Sequence, residues 1–358
     1  MKKIGCFLLL VLTLAASCGK TGPSPFSEGE VPGETGRSTL RVSLDGAVPE
    51  TKVTGASYSD ESRVARWAVW AFDGSGRCAR VGHVDAGAAA EIELTLREGT
   101  YTLVAVCNYP ASGSRAPSLK ADVTLTELQN AVFYLGDNAK NALMMYGTAT
   151  RIVPGEQELS VAIPVRRLVS RVAVNKITVA YANPALTGTT YLRGVYMTNL
   201  YRTNRLAEDW PLSSIVTTRS YWYNPAGWHR FEAYDDPTDA LVGDRGLNTL
   251  LYNNSLPYTT EHVFYAFPNP SPAENDTHEE EWCTRSTRLV VWTEYEGTNY
   301  YYLVQLPAMK RNWRYTAQEI KITELGSPDE EYLPTTVDVV WEAEAEGWGD
   351  IVYVNEES

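Results

Sequence analysis

Hydrophobic and polar residues alternate along much of the chain. Leu40, Val42 and Leu44 alternate with polar residues, and the same pattern recurs at Ile92–Leu96 and at Leu159–Val165. A repeat of two residues is typical of a strand with one buried face. The pattern therefore predicts a protein built mainly of β-strands.

Two other segments are nearly continuous apolar runs, Trp67–Phe72 and Thr102–Cys107. Such runs indicate strands that are covered on both faces. Turn sequences separate the strands at Asp73–Gly76, Glu98–Gly99 and Pro154–Gly155. Short strands and turns at this spacing predict stacked β-sandwiches.

Helical patterns are few. Thr124–Leu135 carries a capping threonine with Glu127 three residues later, which predicts one short helix. The stretch 202–280 is rich in Asn, Pro, Asp and aromatic residues, and we expect long loops there. Strand patterns then return at Thr287–Tyr295, Tyr300–Leu306, Tyr315–Ile322, Thr336–Glu346 and Ile351–Val354.

The best position for a domain boundary is near Pro164–Arg166, because a new alternating stretch opens at Arg167. We expect an amino-terminal β-sandwich over residues 38–165, of which 38–52 form a removable first strand and loop. A second β-sandwich is expected over residues 166–358. The length of the chain suits two domains of ordinary size.

The amino terminus has the layout of a secretory signal peptide. Lys2 and Lys3 precede the apolar run Ile4–Leu14, and small residues lead to Cys18. The run has about 11 residues, fewer than the roughly 20 that a membrane-spanning helix needs. The Cys after small residues resembles a bacterial lipobox, which predicts a signal peptide over residues 1–17 and lipidation of Cys18. The alternative is plain secretion with Cys18 an ordinary thiol.

Residues 18–37 are rich in Gly, Pro, Ser and Glu, so we expect a flexible tether. The net charge of −13 argues against nucleic acid and anionic membrane surfaces as partners. Cys78, Cys107 and Cys283 form neither a disulfide framework nor a zinc-site spacing. Cys107 is expected to be a buried residue of a strand.

No pattern in the sequence points to catalysis. Catalysis needs functional groups that converge, and the sequence predicts that His83, His229, His262 and His278 are all isolated. No nucleophile, phosphate-binding or dinucleotide motif is present. Acidic clusters, such as Asp235 and Asp236 with Glu232, fit no known calcium loop. We therefore expect neither an enzyme nor a metal site nor a cofactor, and an extracellular hydrolase is the weakest of the functions considered.

Aromatic residues cluster between Tyr221 and Phe231. Tyr221, Trp222 and Trp228 could stack on sugar rings and form a glycan-binding surface for adhesion. The other interpretation is a hairpin whose rings fill the core of the second domain.

Five segments in order, behind the lipobox, resemble the FimA-type fimbrillins of the Bacteroidales, also called type V pilins. They are Ser38–Leu44 with Thr51–Val53, Asp60–Asp73, Gly99–Asn108, Arg167–Arg171, and Arg311–Tyr315 with Ile322–Gly326 before a strand that carries Trp341. The resemblance covers residues 38–348 and implies two transthyretin-like β-sandwich domains.

The resemblance also implies a route of assembly. An outer-membrane lipoprotein precursor is cut by an extracellular trypsin-like protease in the loop after the first strand, which removes the lipid and the strand together. The matching basic residue is Lys52, where the best-known members carry Arg, and the alternatives are Arg41 and Arg37. The displaced strand would carry Leu40, Val42 and Leu44.

The vacated groove would accept a strand from a neighbouring subunit. The expected donor is the carboxy-terminal strand, with Val337, Val339 and Trp341 on one alternating set. The implied partners are other copies of the chain or related fimbrial subunits, the protease, and host or bacterial surface ligands. The full tail favours a stalk-like subunit at the cell surface; the alternative is a non-polymerising, glycan-binding surface lipoprotein.

Overall fold

The computed structural model describes the chain from Gly36 onward, with several gaps. The described residues are 36–45, 48–49, 61–85, 91–112, 117, 120–207, 222–223, 241–270, 286–328, 338–345 and 350–354. Among them the regular structure is almost entirely strand, which confirms the predicted mainly β fold. No helix among these residues is long and apolar enough to cross a membrane.

Among the described residues, the first half of the chain contains ten strands and two short helical elements. They are β1 Arg37–Asp45, β2 Val48–Pro49, β3 Arg63–Val64, β4 Arg66–Phe72, β5 Cys78–Asp85, β6 Glu91–Arg97, β7 Gly99–Cys107, helix α1 Leu125–Gln129, β8 Val132–Tyr134, a 3-10 turn at Leu135–Asp137, β9 Met145–Val153 and β10 Glu158–Arg167.

The described part of the second half contains thirteen strands. They are β11 Ser170–Val174, β12 Ile177–Val179, β13 Thr190–Thr198, β14 Leu200–Tyr201, β15 Thr203–Arg205, β16 Trp222–Tyr223, β17 Gly243–Leu251, β18 His262–Ala266, β19 Arg288–Tyr295, β20 Thr298–Gln305, β21 Arg314–Ile322, β22 Asp338–Ala345 and β23 Asp350–Val354.

Seven strands of the first half form one sheet in the order β5-β4-β7-β9-β10-β1-β6. The sheet folds over because β10 changes partner: Glu158–Pro164 lie beside β1, whereas Val165–Arg167 pair with β9. The change comes at Pro164, which has no N–H to donate to a ladder. Gly147 of β9 is opposite the next residue, Val165, and a side chain there would collide with the Pro164 carbonyl, so glycine allows the two strands to approach closely.

The fold-over brings the two ends of this sheet together. Gly82 of β5 lies so close to Ile92 and Leu94 of β6 that a Cβ would overlap them. The enclosed apolar core includes Leu40, Val69 and Leu103 together with residues of β6 and β10. This is the first β-sandwich, and β1 is part of it.

Two further sheets make the second sandwich. One has the order β18-β11-β21-β22-β23, with β12 also pairing with β21, and the other has the order β17-β13-β19-β20. Their inner faces meet in a core that includes Val172, Phe264, Val291, Tyr302 and Ile320.

The predicted apolar runs are covered on both faces, as expected. In β4, Trp67 and Val69 belong to the core of the first sandwich, while Trp70 and Phe72 belong to the larger apolar cluster that continues into the second half. Phe133, beside α1, is part of that larger cluster. The side chains of β4 alternate between two apolar environments, which explains the unbroken run of hydrophobic residues.

The predicted helix at Thr124–Leu135 starts where expected but ends early. Thr124 caps α1, and the Glu127 carboxylate accepts a hydrogen bond from the Thr124 N–H at 2.8 Å. The helix ends at Gln129 because Val132–Tyr134 pair instead with β15 as a strand. Tertiary pairing overrides the local helical pattern there.

The prediction of long loops throughout 202–280 is wrong in part. β15, β17 and β18 lie in this stretch, and both β17 and β18 are edge strands of the second sandwich. The alternation in Gly243–Leu251 is interrupted by glycine, asparagine and threonine, so its strand signal is weak.

The predicted domain boundary at 165/166 falls within β10, which runs on to Arg167. Residues from Gly36 onward form one compact unit, and one apolar cluster includes residues from both sides of the boundary. The division into residues 38–165 and 166–358 stays a prediction.

A buried group of charges joins the two halves at Glu61. The Glu61 carboxylate lies 2.9 Å from the Arg171 guanidinium and accepts a hydrogen bond from the Tyr265 hydroxyl at 2.6 Å. Arg167 donates to the Glu61 carbonyl oxygen at 3.0 Å, and Arg171 also pairs with Glu261 at 2.9 Å. Glu61, Arg167 and Arg171 are all buried. Residue 61 is thereby fixed against the start of the second half.

His262 is not isolated, in contrast to the prediction. Its Nδ1 lies 2.6 Å from the Asp244 carboxylate and its Nε2 lies 3.0 Å from the Tyr258 hydroxyl. Asp244 is on β17 and His262 on β18, so the contact ties together the edges of the two facing sheets. Burial tends to raise the pKa of Asp244, but the hydrogen bond from His262 and the charges of Lys140 and His262 lower it overall.

Replacing Glu61 by Gln should destabilise the protein strongly. The change leaves the buried Arg171 charge with only Glu261, so we expect a loss of about 3 kcal/mol in the free energy of unfolding. Urea unfolding measures it. The control is Glu319→Gln, which breaks a half-exposed pair with Lys176 and should cost below about 1 kcal/mol. Equal losses in the two variants would contradict a stabilising role for the Glu61 group.

The Asp244–His262 contact should stop contributing to the stability of the fold in acid. Because folding lowers the pKa of Asp244, its contribution to stability is complete above the unfolded pKa of about 3.9 and is lost as the pH falls through the folded pKa. Urea midpoints of the wild type and Asp244→Asn should therefore differ at neutral pH and converge in acid. A difference that is independent of pH would contradict this.

Candidate assembly site

The first strand lies between two neighbours along nearly its whole length. β1 is parallel to β10, with Thr39 opposite Glu158 and Asp45 opposite Pro164. It is antiparallel to β6, with Arg37 opposite Arg97 and Ser43 opposite Glu91. Both edges of its backbone are therefore in ladders. We call the space between β6 and β10 that β1 fills the acceptor groove.

The inward side chains of β1 fill the acceptor groove. Leu40 and Val42 are both 0% exposed, and Leu44 is half-buried. They pack in the cluster that contains Leu94 of β6 and Ile163 of β10. Full burial of each aliphatic side chain contributes about 1.5–3 kcal/mol, so the groove holds its strand mainly by apolar contact.

Polar contacts fix where β1 begins. The buried Ser38 hydroxyl donates to the Pro154 carbonyl and accepts from the Gln157 N–H at 3.0 Å. The Thr39 N–H donates to the Gln157 carbonyl at 3.0 Å. These bonds set the register, and a slip by one residue would turn the apolar set outward.

The outward face of β1 carries a charge contact. The Arg41 guanidinium lies 3.1 Å from Glu93 of β6 and 3.7 Å from Glu158 of β10. Its side chain is 47% exposed, and those of Glu93 and Glu158 are 63% and 76% exposed. Exposed pairs of this kind add little stability but do favour one sign of charge.

β1 is covalently separable from the rest of the sandwich. Neither neighbour is joined to it by a hairpin, because β6 and β10 both come much later in the chain. It is the first strand in the described part of the chain. A single cut in the segment that follows Asp45 would leave β1 held only by non-covalent contacts.

The expected donor strand, β22, lies between β21 and the edge strand β23 in one sheet of the second sandwich. β22 is antiparallel to β21, with Arg314 opposite Glu344 and Lys321 opposite Asp338, and β23 pairs with its other edge. Val339 and Trp341 are in β22, although their side chains lie outside the described part, as does all of Val337. The expected donor strand is therefore paired within its own chain in this structure.

Several predicted site residues lie outside the described part of the chain. These are Cys18, Lys52, Tyr221 and Trp228. Trp222 is in β16, which pairs with β14, but its side chain is not described. Arg37 is exposed at the first position of β1, and Arg41 is in the middle of the strand.

The two described cysteines are free thiols, and burial disfavours the thiolate form of both. Burial raises the pKa of Cys107, which is fully buried in β7, as expected for a strand residue. Burial also raises the pKa of Cys78 to about 11. Among the described residues no group of His, Cys, Asp and Glu is arranged to hold a metal ion.

Sequence reasoning missed the polar residues around the acceptor groove. Ser38, Glu93 and Glu158 were not singled out, although each contacts the first strand. A signal was present at Glu91–Arg97, where polar residues alternate strictly with Ile92, Leu94 and Leu96. The identity of the neighbouring strand was the missing information.

Comparison with known proteins gives a consistent result. Residues 30–204, which include β1 to β14, match the family model described as fimbrillin-A associated anchor proteins Mfa1 and Mfa2. The FimA fimbrilin of Porphyromonas gingivalis W83 is 15% identical, with a TM-score of 0.55 over 90% of this chain and 99% of that one. The resemblance to the fimbrillins is confirmed.

Two other solved structures share the fold. A protein of Parabacteroides distasonis ATCC 8503, provisionally described as a cell adhesion protein, has a TM-score of 0.58 at 12% identity, covering 88% of this chain and 100% of that one. One of the same description from Bacteroides eggerthii DSM 20697 has a TM-score of 0.56 at 16% identity, over 88% and 97%. No curated protein matches the sequence. The family and the fimbrillin neighbour are structural fimbrial proteins rather than enzymes.

Truncating the buried residues of β1 should weaken the sandwich in proportion to their burial. Leu40→Ala empties a fully buried position and should cost about 2–5 kcal/mol in the free energy of unfolding. Leu44→Ala, at a half-buried position of the same strand, is the matched control and should cost clearly less. Urea unfolding of both variants measures the difference. Similar small costs would mean that β1 contributes little to the fold.

Proposed function

We propose that the chain is a structural subunit of a cell-surface fimbria that polymerises by donor-strand exchange. The observation that carries the proposal is β1: Leu40 and Val42 are fully buried, yet no hairpin joins the strand to the sandwich. A strand of this kind can be removed by one cut and replaced by an equivalent strand from another chain.

Before the cut, the precursor is an outer-membrane lipoprotein anchored through Cys18, with residues 18–37 as the tether. An extracellular trypsin-like protease cuts after Lys52, in the segment between Asp45 and Glu61. The contacts of Glu61 with Arg171 and Tyr265 support this location, because they hold the downstream side of the cut on the body of the protein. The upstream side, β1 with its tether and lipid, is then free to leave.

The position of the other basic residues also supports Lys52. Arg41 is in the middle of β1, with ladders on both sides and carboxylates at both neighbours. A protease must bind its substrate in an unpaired, accessible form, so a paired strand is a poor target. Arg37 is already the first residue of the strand, and a cut there would leave β1 attached.

The vacated groove is then filled by the carboxy-terminal strand of the next subunit, and where that subunit is a copy of this chain the strand carries Val337, Val339 and Trp341. In its own chain β22 is paired with β21 and β23, so donation exchanges one set of backbone hydrogen bonds for another. The net driving force is the apolar surface of the acceptor groove, at about 1.5–3 kcal/mol per buried aliphatic residue. A head-to-tail contact that does not close on itself produces a filament.

The position of this subunit in the fimbria is open to direct test. The matched family is described as anchor proteins, whereas the FimA neighbour is described as a fimbrilin. A stalk-like subunit both accepts and donates a strand, and the presence of β22 and β23 supports this role. The fimbria would serve in adhesion to host or bacterial surfaces.

Limited proteolysis tests the proposal. The chain made without residues 1–20 is treated with limiting trypsin in about 0.5 M salt, which screens charge repulsion between copies. We expect a new amino terminus at Val53, loss of the strand segment, and ladders on unboiled gels. Lys52→Gln should prevent the cut and the ladders, whereas Arg37→Gln should not.

A truncated variant separates donor from acceptor. Deleting the residues after Val337 should leave a protein that folds and is cut but does not elongate. Ladders from that variant would show that the tail is not the donor. Absence of both trimming and ladders in the whole chain would favour the non-polymerising glycan-binding lipoprotein.

A further inference from the structure

The outer rim of the acceptor groove is acidic. Glu91 and Glu93 project from β6 opposite Ser43 and Arg41, and Glu158 of β10 is opposite Thr39. All three are exposed. We call these three carboxylates the acidic rim, and Arg41 is the basic residue of the resident strand that lies between two of them.

A donor strand must therefore have a suitable charge as well as suitably spaced apolar residues. Every second residue of the donor must be apolar, to replace Leu40 and Val42. The residue between those two takes the place of Arg41, close to Glu93 and Glu158. Opposite charges on neighbouring strands stabilise a pair, and like charges destabilise it.

The chain's own tail does not meet this requirement. Its apolar residues Val337, Val339 and Trp341 are followed by Ala343 and Ala345. The residues between them are Asp338, Val340, Glu342 and Glu344, of which all but Val340 are acidic. Because the positions of Leu40 and Val42 are fully buried, a Trp there would overpack the core. Trp341 is best accommodated at the half-buried position of Leu44.

That register places Val337 and Val339 in the positions of Leu40 and Val42. Asp338 then occupies the position of Arg41, beside two glutamates. Shifting the tail by two residues does not solve the problem, because Glu342 then lies at the position of Ser43, opposite Glu91. A further shift by two residues brings Glu342 to the position of Arg41. Each of these registers sets at least one carboxylate against the acidic rim.

We propose that the acceptor groove selects its partner by charge: it takes a donor strand with a basic residue at the Arg41 position, from a different fimbrial subunit, in preference to a second copy of this chain. This inference rests on the proposed strand exchange. It identifies the partner by chemistry, as a strand of alternating apolar residues with a Lys or Arg between the two deepest ones.

The size of the effect follows from the exposure of the rim. The carboxylates are mostly solvent-accessible, so their interactions are screened by salt and act on selectivity more than on stability. Exchanging one acidic for one basic residue at the Arg41 position should change binding about five- to tenfold at low ionic strength. At high salt the difference should nearly disappear, so we expect copies of one chain to assemble there.

Peptide competition on the cut protein tests the proposal. The whole chain without residues 1–20, with a label on β1, is cut once in the 46–60 segment. Peptides then compete with the labelled β1 for the acceptor groove. The probes are residues 37–45, the same peptide with Arg41→Glu, and residues 336–346 as wild type, with Asp338→Lys, or with Glu346→Lys. The Asp338→Lys and Glu346→Lys peptides carry the same change of charge. In the register that places Trp341 at the Leu44 position, however, residue 346 lies beyond the groove.

At about 20 mM salt, Asp338→Lys should strengthen binding of the tail peptide about five- to tenfold, and Glu346→Lys much less. Arg41→Glu should weaken binding of the first-strand peptide by a similar factor. Glu93→Lys in the acceptor should restore binding of that peptide and strengthen binding of the unmodified tail peptide. The control Glu324→Lys, at an exposed site away from the groove, should do neither. Raising the salt to about 0.5 M should remove these differences.

Equal effects of Asp338→Lys and Glu346→Lys would overturn the proposal, because net charge rather than the rim would then decide binding. Peptide binding that depends on neither the peptide's charge nor the salt concentration would also overturn the proposal, while leaving the proposed strand exchange intact. If no peptide enters the groove, including residues 37–45, the proposed function and the inference both fail.

Discussion

The burial of Leu40 and Val42 between β6 and β10 is the interaction on which the rest of the account depends. The seven-stranded sheet is continuous only because β1 joins β10 to β6, and without it β6 would keep no ladder partner among the described residues. A sandwich that lacks the strand between β10 and β6 exposes apolar surface and two unpaired edges at once. The protein is therefore stable only when some strand occupies this groove, and nothing in the backbone geometry requires that strand to be its own.

Interchange of strands requires the rest of the molecule to stay in place. The buried charges around Glu61 meet this need, because they fix the first described residue after the predicted cut against Arg171 and Tyr265. A buried ion pair is weak evidence of stabilisation relative to an apolar alternative, but it is specific in geometry. The ion pair lies between the removable strand and the second half of the chain. Because its geometry is specific, it holds this part of the chain in one defined arrangement.

Much of the fold is predictable from the sequence, because strands with one buried and one solvent-exposed face show a clear alternation of apolar and polar residues. The alternation at Leu40–Leu44 and Leu159–Val165 and the strands after Thr287 correspond closely to observed elements. The failures came where tertiary contacts decide. Val132–Tyr134 carry a helical pattern yet pair with β15, and β17 has little alternation but completes the edge of a sheet.

For the site, periodicity identified which residues of β1 are buried but not which strands surround them. The parallel neighbour β10 begins more than a hundred residues later, so neither Glu158 nor the role of Arg41 was visible in local sequence. Polar contacts of this kind depend on register, which the chain alone does not reveal.

Hydrogen–deuterium exchange of the cut protein, with and without a donor-strand peptide, tests the central claim most directly. Segment 37–45 should be protected before the donor is added and lose protection as the donor binds, while segment 91–97 stays protected because a new strand replaces β1 beside it. If 37–45 remains protected while the donor is bound, the donor lies elsewhere, and β1 is a permanent part of the sandwich rather than a replaceable one.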